Sequence, residues 1–228
     1  MHYHLNKFLL LIFVLQFFIQ GCTKNIEIKK LVSYPKSYEK KSNKKWPLIL
    51  FLHGIGERGN NLELLKLHGI PKIIDSNKEF PFITVSPQCP LEFDWRENKM
   101  QDKVISMLEN FIKNNNVDKE RIYITGLSMG VYGTWSILSK HPKLFAASIP
   151  ICGGGNPAKA LKLKDIPIWT FHGEDDDVIP VIETINMVDA INNLNGKKIL
   201  SSINVLSGFK VSPYAFVFWN IGDGEYNS

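Results

Sequence analysis

The sequence lacks a basic stripe interleaved with aromatic residues, which is the pattern typical of nucleic-acid-binding surfaces. Its lysines and arginines outnumber its acidic residues by five, but the lysines are scattered, which indicates a solvated basic surface. Internal repeats and low-complexity segments are also missing. With 228 residues, 44% of them hydrophobic and 21% charged, the composition is typical of one globular domain with a full core. No nucleic-acid partner is therefore expected.

The sequence also lacks an apolar run long enough for a comfortable membrane span. The apolar segment Phe8–Ile19 holds about a dozen residues, interrupted by Gln16, whereas a spanning helix needs about 20. The segment therefore predicts an export signal over residues 1–21 rather than a transmembrane helix. Its last residues, Ile19-Gln20-Gly21-Cys22, resemble the end of a bacterial lipoprotein signal.

This resemblance implies cleavage before Cys22 and acylation of that cysteine, which would anchor the chain to a membrane. The predicted location is the bacterial cell envelope, with the membrane as a partner through the lipid anchor. Residues 22–45, which are polar and rich in lysine, are interpreted as a tether leading into edge strands. A plain secretory signal and an uncleaved anchor remain open alternatives.

Strand-like and helix-like segments alternate from Trp46 onward. Such alternation predicts an α/β fold with a mostly parallel central sheet, helices on both faces and right-handed crossovers. This core covers residues 46–196. The predicted strands are residues 46–53, 82–87, 121–125, 145–152 and 166–172, preceded by a strand pair near 26–28 and 31–34, and the predicted helices are residues 102–114, 131–140 and 181–194.

The pentapeptide Gly126-Leu127-Ser128-Met129-Gly130 lies between a predicted strand and a predicted helix. Strand, tight turn and helix form the context of a nucleophile elbow, in which a strained serine is presented at the carboxyl edge of the sheet. The glycines are expected because only residues without a Cβ atom fit on either side of such a serine. Ser128 is therefore the predicted nucleophile, and the backbone amides of Met129 and Ile55 are the predicted oxyanion donors.

An acidic loop follows the predicted strand 166–172. It contains Asp175, Asp176 and Asp177, and a parallel sheet would bring it to the same carboxyl edge as Ser128. Its position after the serine fits the chain order serine, acid, histidine. Any one of the three aspartates could orient a base, and the others would be helix caps or solvated charges.

Several further motifs match a known family. They are Leu52-His53-Gly54 with Gly56-Glu57-Arg58-Gly59, Ser86-Pro87-Gln88-Cys89-Pro90 followed by Trp95, and Phe171-His172-Gly173 followed by Val178-Ile179-Pro180. With the elbow, they resemble bacterial α/β-hydrolases of the phospholipase/carboxylesterase type, which includes feruloyl-esterase-like and dienelactone-hydrolase-like proteins. The resemblance covers about two thirds of the chain.

The resemblance implies a serine esterase that acts on a small-molecule or saccharide-linked ester, with no metal and no cofactor. It selects Asp176 as the acid, because the family's acid lies four residues after the histidine of the His-Gly pair and four before a proline. It also supports Ile55 and Met129 as the oxyanion hole and implies that His53 and Trp95 lie near the substrate.

Cysteine is scarce, and only Cys89 and Cys152 remain beyond Cys22. Export would permit a disulfide between them. In the predicted topology, however, they follow strands about three places apart, so roughly 14 Å separates them at ~4.8 Å per strand. This is beyond the reach of a disulfide, and two buried free thiols are predicted.

No histidine follows Asp176, although the resemblance implies one some 25 to 40 residues after the acid. The six histidines are at positions 2, 4, 53, 68, 141 and 172, and the resemblance fades over residues 197–228. Three explanations remain open: the tail is altered and the hydrolase impaired, catalysis was abandoned for ligand binding in the envelope, or another histidine or Lys210 acts as the base. Peptidase activity on a related fold is a further alternative.

Overall fold

The computed structural model describes residues 28–76, 79–195 and 204–205. Strands of this part of the chain form one seven-stranded sheet with the order β1-β3-β2-β4-β5-β6-β7. The strands are β1 (Lys30–Ser33), β2 (Trp46–Leu52), β3 (Ile83–Pro87), β4 (Val117–Leu127), β5 (Ala147–Ile151), β6 (Phe171–His172) and β7 (Asn204–Val205).

The sheet is parallel except at one edge, where β1 runs antiparallel to β3. Strand β2 consists almost entirely of apolar residues and is largely buried, as expected of a strand covered on both faces. The predicted α/β class with a mostly parallel sheet is confirmed. It is the arrangement of the α/β-hydrolase fold.

Four α-helices and three 3₁₀-helices are found in the described residues. The α-helices are α1 (Gly69–Ser76), α2 (Asn98–Asn114), α3 (Met129–Lys140) and α4 (Ile182–Asn195), and the 3₁₀-helices are Ile55–Glu57, Leu62–Leu67 and Pro157–Lys162. Helix α1 connects β2 to β3, which lies on one side of β2 in the sheet. The crossovers that contain α2, α3 and α4 lead in the opposite direction along the sheet, to β4, β5 and β7. Right-handed crossovers therefore place α1 on one face of the sheet and α2, α3 and α4 on the other.

Two predicted strands differ from the observed ones. The elbow strand is longer than residues 121–125, since β4 covers Val117–Leu127. The predicted strand 166–172 is interrupted: it makes an isolated bridge at Ile168 and becomes regular only in β6. Pro167 has no N–H group to donate to a neighbouring strand, and its carbonyl instead accepts the amide of Ser148.

The predicted amino-terminal strand pair lies only partly within the described residues. Strand β1, Lys30–Ser33, overlaps the predicted segment 31–34 and pairs with β3. Residues 26 and 27 lie outside the described residues, as do the predicted signal 1–21 and the acylation site Cys22. Of the atypical segment 197–228, only β7 is described, and it extends the sheet beside β6. None of the helices that can be described is long and apolar enough to cross a membrane.

The two cysteines confirm the predicted strand spacing. Cys89 follows β3 and Cys152 follows β5, and two strands, β2 and β4, lie between them in the sheet. Both are buried free thiols. Burial raises the pKa of Cys89 to about 12 and the pKa of Cys152 to about 11, so neither is a thiolate nucleophile at neutral pH.

Candidate active site

Ser128 lies between the end of β4 and the start of α3, and its backbone is strained. Its φ is 53° and its ψ is −117°, a conformation that non-glycine residues rarely adopt. The amide of Ser128 donates to Ile151 O at 3.0 Å, and the carbonyl of Ser128 accepts Val131 N–H at 2.8 Å. These two hydrogen bonds hold a serine with the geometry of a nucleophile elbow at the carboxyl edge of the sheet.

The two glycines of the motif are required by packing. A Cβ atom on Gly126 would lie 2.4 Å from the carbonyl oxygen of Gly130, and one on Gly130 would lie 2.0 Å from the carbonyl oxygen of Leu52. Neither glycine has a positive φ. Close approach of the backbones of β2, β4 and α3 therefore explains both glycines, as the sequence predicted.

The loop after β2, residues 53–59, contains Ile55 and is here called the oxyanion loop. It lies directly beside Ser128. Leu52 of β2 pairs with Gly126 of β4, so the two chains leave the sheet side by side. A Cβ atom placed on Gly54 would be 3.7 Å from Cβ of Ser128. Ile55 begins a 3₁₀-helix at this point, and its side chain is exposed. The amides of Ile55 and Met129 thus come from the two segments that meet at the nucleophile.

The buried imidazole of His53 holds this loop in place from the protein interior. Its Nδ1 atom contacts Gly54 O at 2.5 Å, and its Nε2 atom accepts the amide of Cys89 at 2.9 Å. The first contact requires a proton on Nδ1 and the second requires none on Nε2, so the ring is neutral. Burial lowers the pKa of His53 to about 4. Both nitrogens are occupied, which leaves neither available to a substrate.

Trp95 is fully buried beneath the same loop. Its indole N–H donates to His53 O at 3.0 Å, and its ring meets the imidazole edge-on with 5.1 Å between centroids. A Cβ atom on Gly133 of α3 would lie 2.6 Å from Cβ of Trp95. The structure therefore places both His53 and Trp95 in the layer that supports the site, below the surface a substrate would contact.

Two side chains clamp the outer part of the oxyanion loop. Arg58 donates through Nε to Ile55 O at 3.3 Å and through Nη1 to Leu91 O at 3.2 Å. Gln88 donates through Nε2 to Glu57 O at 2.9 Å. These bonds fix the carbonyls of the loop and therefore the planes of its peptide groups. Rigid donors of this kind stabilise an oxyanion without reorganising during the reaction.

Glu57 is a buried acid that sequence reasoning did not single out. It is 3% exposed, and its carboxylate oxygens lie 3.7 Å from His53 Nδ1 and 3.4 Å from His68 Nε2. Burial raises its pKa, and the charge of His68 opposes the rise. The only sequence signal was an acidic residue inside a glycine-rich loop after a buried strand, and this alone did not separate a buried acid from an exposed one.

Asp176 is the one aspartate of the acidic loop that the fold holds in place. Its Oδ1 atom accepts the amides of Val178 and Ile179 at 3.0 and 2.9 Å, and its side chain is 8% exposed. Asp175 and Asp177 are exposed to solvent. This difference is what is expected if Asp176 orients a base and its neighbours are solvated charges.

The second oxygen of Asp176 faces a buried network. Oδ2 lies 3.5 Å from Nε2 of His172, whose Nδ1 atom is 2.7 Å from Thr184 Oγ1. The hydroxyl of Thr184 is in turn 2.7 Å from Gly153 O. The network ties the acid loop to the segment after β5, which a parallel sheet places between the segments that carry Ser128 and Asp176.

The segment after β5 lies between the nucleophile and the acid loop. The charge of Asp176 contributes to the raised pKa of Cys152 and to that of Tyr132, although burial is the main cause in both. Tyr132 lies one helical turn after Ser128. A Cβ atom on Gly153 would be 3.0 Å from Ser128 O. Ser128 therefore has the oxyanion loop on one side and the acid loop on the other.

None of the four histidines in the described residues is placed as a base for Ser128. His53 and His172 are buried and use both ring nitrogens, and His68 pairs with Glu57 behind the oxyanion loop. His141 caps the far end of α3, about 18 Å from its start at 1.5 Å per residue. Lys210 lies outside the described residues. In the part of the chain that can be described, no group of three or more His, Cys, Asp or Glu side chains could hold a metal ion.

Comparisons with known proteins agree with this geometry. Residues 90–156 match the model of the prolyl oligopeptidase family, Peptidase_S9. The chain is 31% identical over 137 residues to the bifunctional acetylxylan esterase/xylanase XynS20E of Neocallimastix patriciarum, covering 58% of this chain and 20% of that protein. It is 35% identical over 124 residues to poly(3-hydroxyalkanoate) depolymerase C of Paucimonas lemoignei, covering 47% of this chain and 28% of the relative.

The solved structures extend the likeness over most of the chain. A thermostable esterase superposes with a TM-score of 0.65 at 36% identity, covering 81% of this chain and 51% of the esterase. The chain therefore spans about half of this structure and less than a third of the two curated relatives.

Proposed function

We propose that this chain, an α/β-hydrolase of the esterase type, is a serine carboxylic-ester hydrolase with Ser128 as its nucleophile. The observation that carries the proposal is the strained backbone of Ser128, with a φ of 53°, directly beside Gly54 of the oxyanion loop. Ester hydrolysis is also the chemistry named for the acetylxylan esterase and the thermostable esterase. A small-molecule or saccharide-linked ester is the proposed substrate.

The proposed reaction begins with attack of Ser128 Oγ on the ester carbonyl carbon. The carbonyl oxygen becomes negative, and the amides of Ile55 and Met129 stabilise it. Collapse of the tetrahedral intermediate releases the alcohol and leaves an acyl group on Ser128, which water then hydrolyses. A base must take the serine proton and return it to the alcohol, with Asp176 orienting that base.

We further propose that the base is the impaired part of this hydrolase. The described imidazoles are occupied or distant, and none of residues 177–228 is a histidine. A hydrolase that lacks one member of its triad can still reach ~10³–10⁴-fold over the reaction in water, through binding and the oxyanion hole. We therefore expect slow turnover. The proposed location of the protein is the bacterial envelope, anchored through acylated Cys22.

Labelling with a fluorescent fluorophosphonate probe tests the nucleophile without knowledge of the substrate. We expect the full chain to be labelled slowly, because its base is impaired, and Ser128→Ala to lose at least 100-fold in labelling rate, because the hydroxyl that bonds to the probe is then absent. Thermal stability should change little, since Ser128 is only partly buried. Ser76→Ala is the matched control, because Ser76 is exposed and its hydroxyl donates to Ile73 O of its own helix.

An unlabelled, folded wild type would contradict the esterase proposal. It would favour the rival in which the fold has abandoned catalysis and serves as an envelope binding protein. That rival predicts saturable binding of an ester analogue without release of product. Equal labelling of wild type and Ser128→Ala would instead show that a different residue is the nucleophile.

Peptide-bond cleavage is a second candidate, because the match to the prolyl oligopeptidase family covers the segment that contains Ser128. An ester and an amide with the same acyl group and the same chromophoric leaving group separate the two activities. We expect hydrolysis of the ester and no measurable hydrolysis of the amide. Cleavage of the amide at a comparable rate would favour the peptidase.

A further inference from the structure

The first described residues enter the fold at the carboxyl edge of the sheet. This edge carries Ser128 and is here called the catalytic edge. Strand β1 is antiparallel to β3, and Lys30 at its start pairs with Pro87 at the end of β3. The carbonyl of Lys29 accepts the amide of Gln88 at 2.8 Å, and Nζ of Lys29 donates to Asn60 O at 3.0 Å. The side chain of Gln88 also bonds to the oxyanion loop. A single residue, Gln88, therefore connects the entering chain to the candidate active site.

Large apolar side chains are exposed around the same edge. Leu91 is 65% exposed, Val178 80%, Ile182 50% and Ile55 60%. These four residues, here called the apolar rim, lie on segments that follow the carboxyl ends of β2, β3 and β6. Arg58 connects two of these segments, since it bonds to the carbonyls of both Ile55 and Leu91. Large apolar side chains exposed on several loops of one edge make that edge a candidate surface for contact with a partner or a membrane.

The length of the tether decides which occupant fits this surface. Seven residues lie between Cys22 and Lys30, and the eight steps from one to the other span at most ~26–29 Å when fully extended. An acyl group on Cys22 would therefore keep the start of β1, at the catalytic edge, within about 30 Å of the bilayer. The acid loop beside the rim carries exposed Glu174, Asp175 and Asp177, while Lys29 and Lys30 are exposed at the start of β1. These charges of both signs give no general preference for anionic lipid.

We propose that the catalytic edge docks on a lipid bilayer through the apolar rim, so that the site opens toward the membrane surface. This inference rests on the proposed lipid anchor at Cys22. It deepens the proposed function, because it assigns the site to esters that partition into the lipid–water interface. A second copy of the chain is the other candidate occupant of the rim, and it is one outcome of the test.

The test uses the full acylated chain with an environment-sensitive fluorophore attached at a single engineered cysteine. In one variant the label is on Val178→Cys in the rim. In the matched control it is on Leu194→Cys, which is 48% exposed near the opposite end of α4, about 18 Å from Ile182 at 1.5 Å per residue. Cys89 and Cys152 are buried, so labelling selects the engineered site.

On reconstitution into phosphatidylcholine vesicles, we expect at least a twofold rise in fluorescence at position 178 and no change at 194. In the variant Leu91→Gln with labelled Val178→Cys, the rise should be smaller, because the rim has lost one apolar contact. A rise at 194 alone, equal rises at both positions, or no rise at either would overturn the proposal. A rise at 178 without vesicles, together with a doubled sedimentation mass, would show a second copy on the rim and also overturn it.

Two further measurements separate this inference from the proposed function. Mass spectrometry of the purified chain should show acyl mass on a fragment beginning at Cys22, and its absence would overturn the docking proposal while leaving the esterase proposal intact. Fluorophosphonate labelling of Ser128 in detergent reports the nucleophile without a bilayer. Failed labelling with a positive vesicle result would reject the esterase and retain the docking surface.

Discussion

Replacing Gly130 by alanine is expected to destabilise the protein by about 3 kcal/mol or more, a large part of the ~5–15 kcal/mol typical of a domain. The added methyl group would lie 2.0 Å from the carbonyl oxygen of Leu52 and 2.9 Å from that of His53. Both contacts are with backbone, which cannot rotate away as a side chain can. Urea unfolding of Gly130→Ala would measure the loss, and a protein that fails to accumulate in folded form would agree with it.

Gly56→Ala is the matched control for this prediction. Gly56 belongs to the same site and also lies in a helical segment, but nothing lies within 4 Å of a Cβ atom placed there. We expect its free energy of unfolding to stay within about 0.5 kcal/mol of wild type, or to rise slightly because alanine restricts the unfolded chain. If both variants unfolded at the same urea concentration as wild type, α3 could not approach β2 as closely as the structure shows.

Acidification from pH 7 to pH 4 is expected to remove about 3 kcal/mol of stability through His53 alone. Burial lowers the pKa of His53 in the folded protein to about 4, from a value of 6.5 without that environment. Between these two pH values the unfolded chain binds a proton that the folded protein does not. Stability due to His53 is therefore complete above about pH 6.5, falls as the pH is lowered, and reaches its minimum below about pH 4.

Other groups also titrate in this range, so the measurement is a difference between variants. The pKa of Asp94 is lowered by its hydrogen bonds with Arg96 although burial opposes them, which adds to the loss in acid, whereas the raised pKa of Glu57 acts in the opposite direction. Both contributions are shared by wild type and His53→Gln. We expect the variant, which can still accept the amide of Cys89, to lose about 3 kcal/mol less between pH 7 and pH 4.

His141→Gln is the control for the pH experiment, because its ring lies at the far end of α3, away from the oxyanion loop. Its free energy of unfolding should follow the wild-type pH dependence. Equal slopes for wild type and His53→Gln would contradict the assignment of a neutral, buried His53. They would also remove the argument that both of its nitrogens are occupied and that it cannot act as the base.

The sequence by itself determined the fold class and the position of the elbow. Strand β2 is an unbroken apolar run because both faces of a parallel strand are covered, and helix α2 shows one apolar face because only that face packs on the sheet. Gly126 and Gly130 are visible in the sequence because no residue with a Cβ atom fits there. Even the separation of Cys89 from Cys152 followed from strand order, since strand spacing is nearly constant.

The tertiary structure alone decided what supports the site and where it faces. Long-range hydrogen bonds hold Trp95 and His53 beneath the oxyanion loop, and burial of Glu57 depends on loops that are far apart in sequence. What distinguishes Asp176 from Asp175 and Asp177 is that its carboxylate accepts two backbone amides. The position of β1 at the catalytic edge depends on its antiparallel pairing with β3. Local periodicity reports only which face of an element is apolar, and these contacts join residues more than 30 positions apart or depend on the path of a loop.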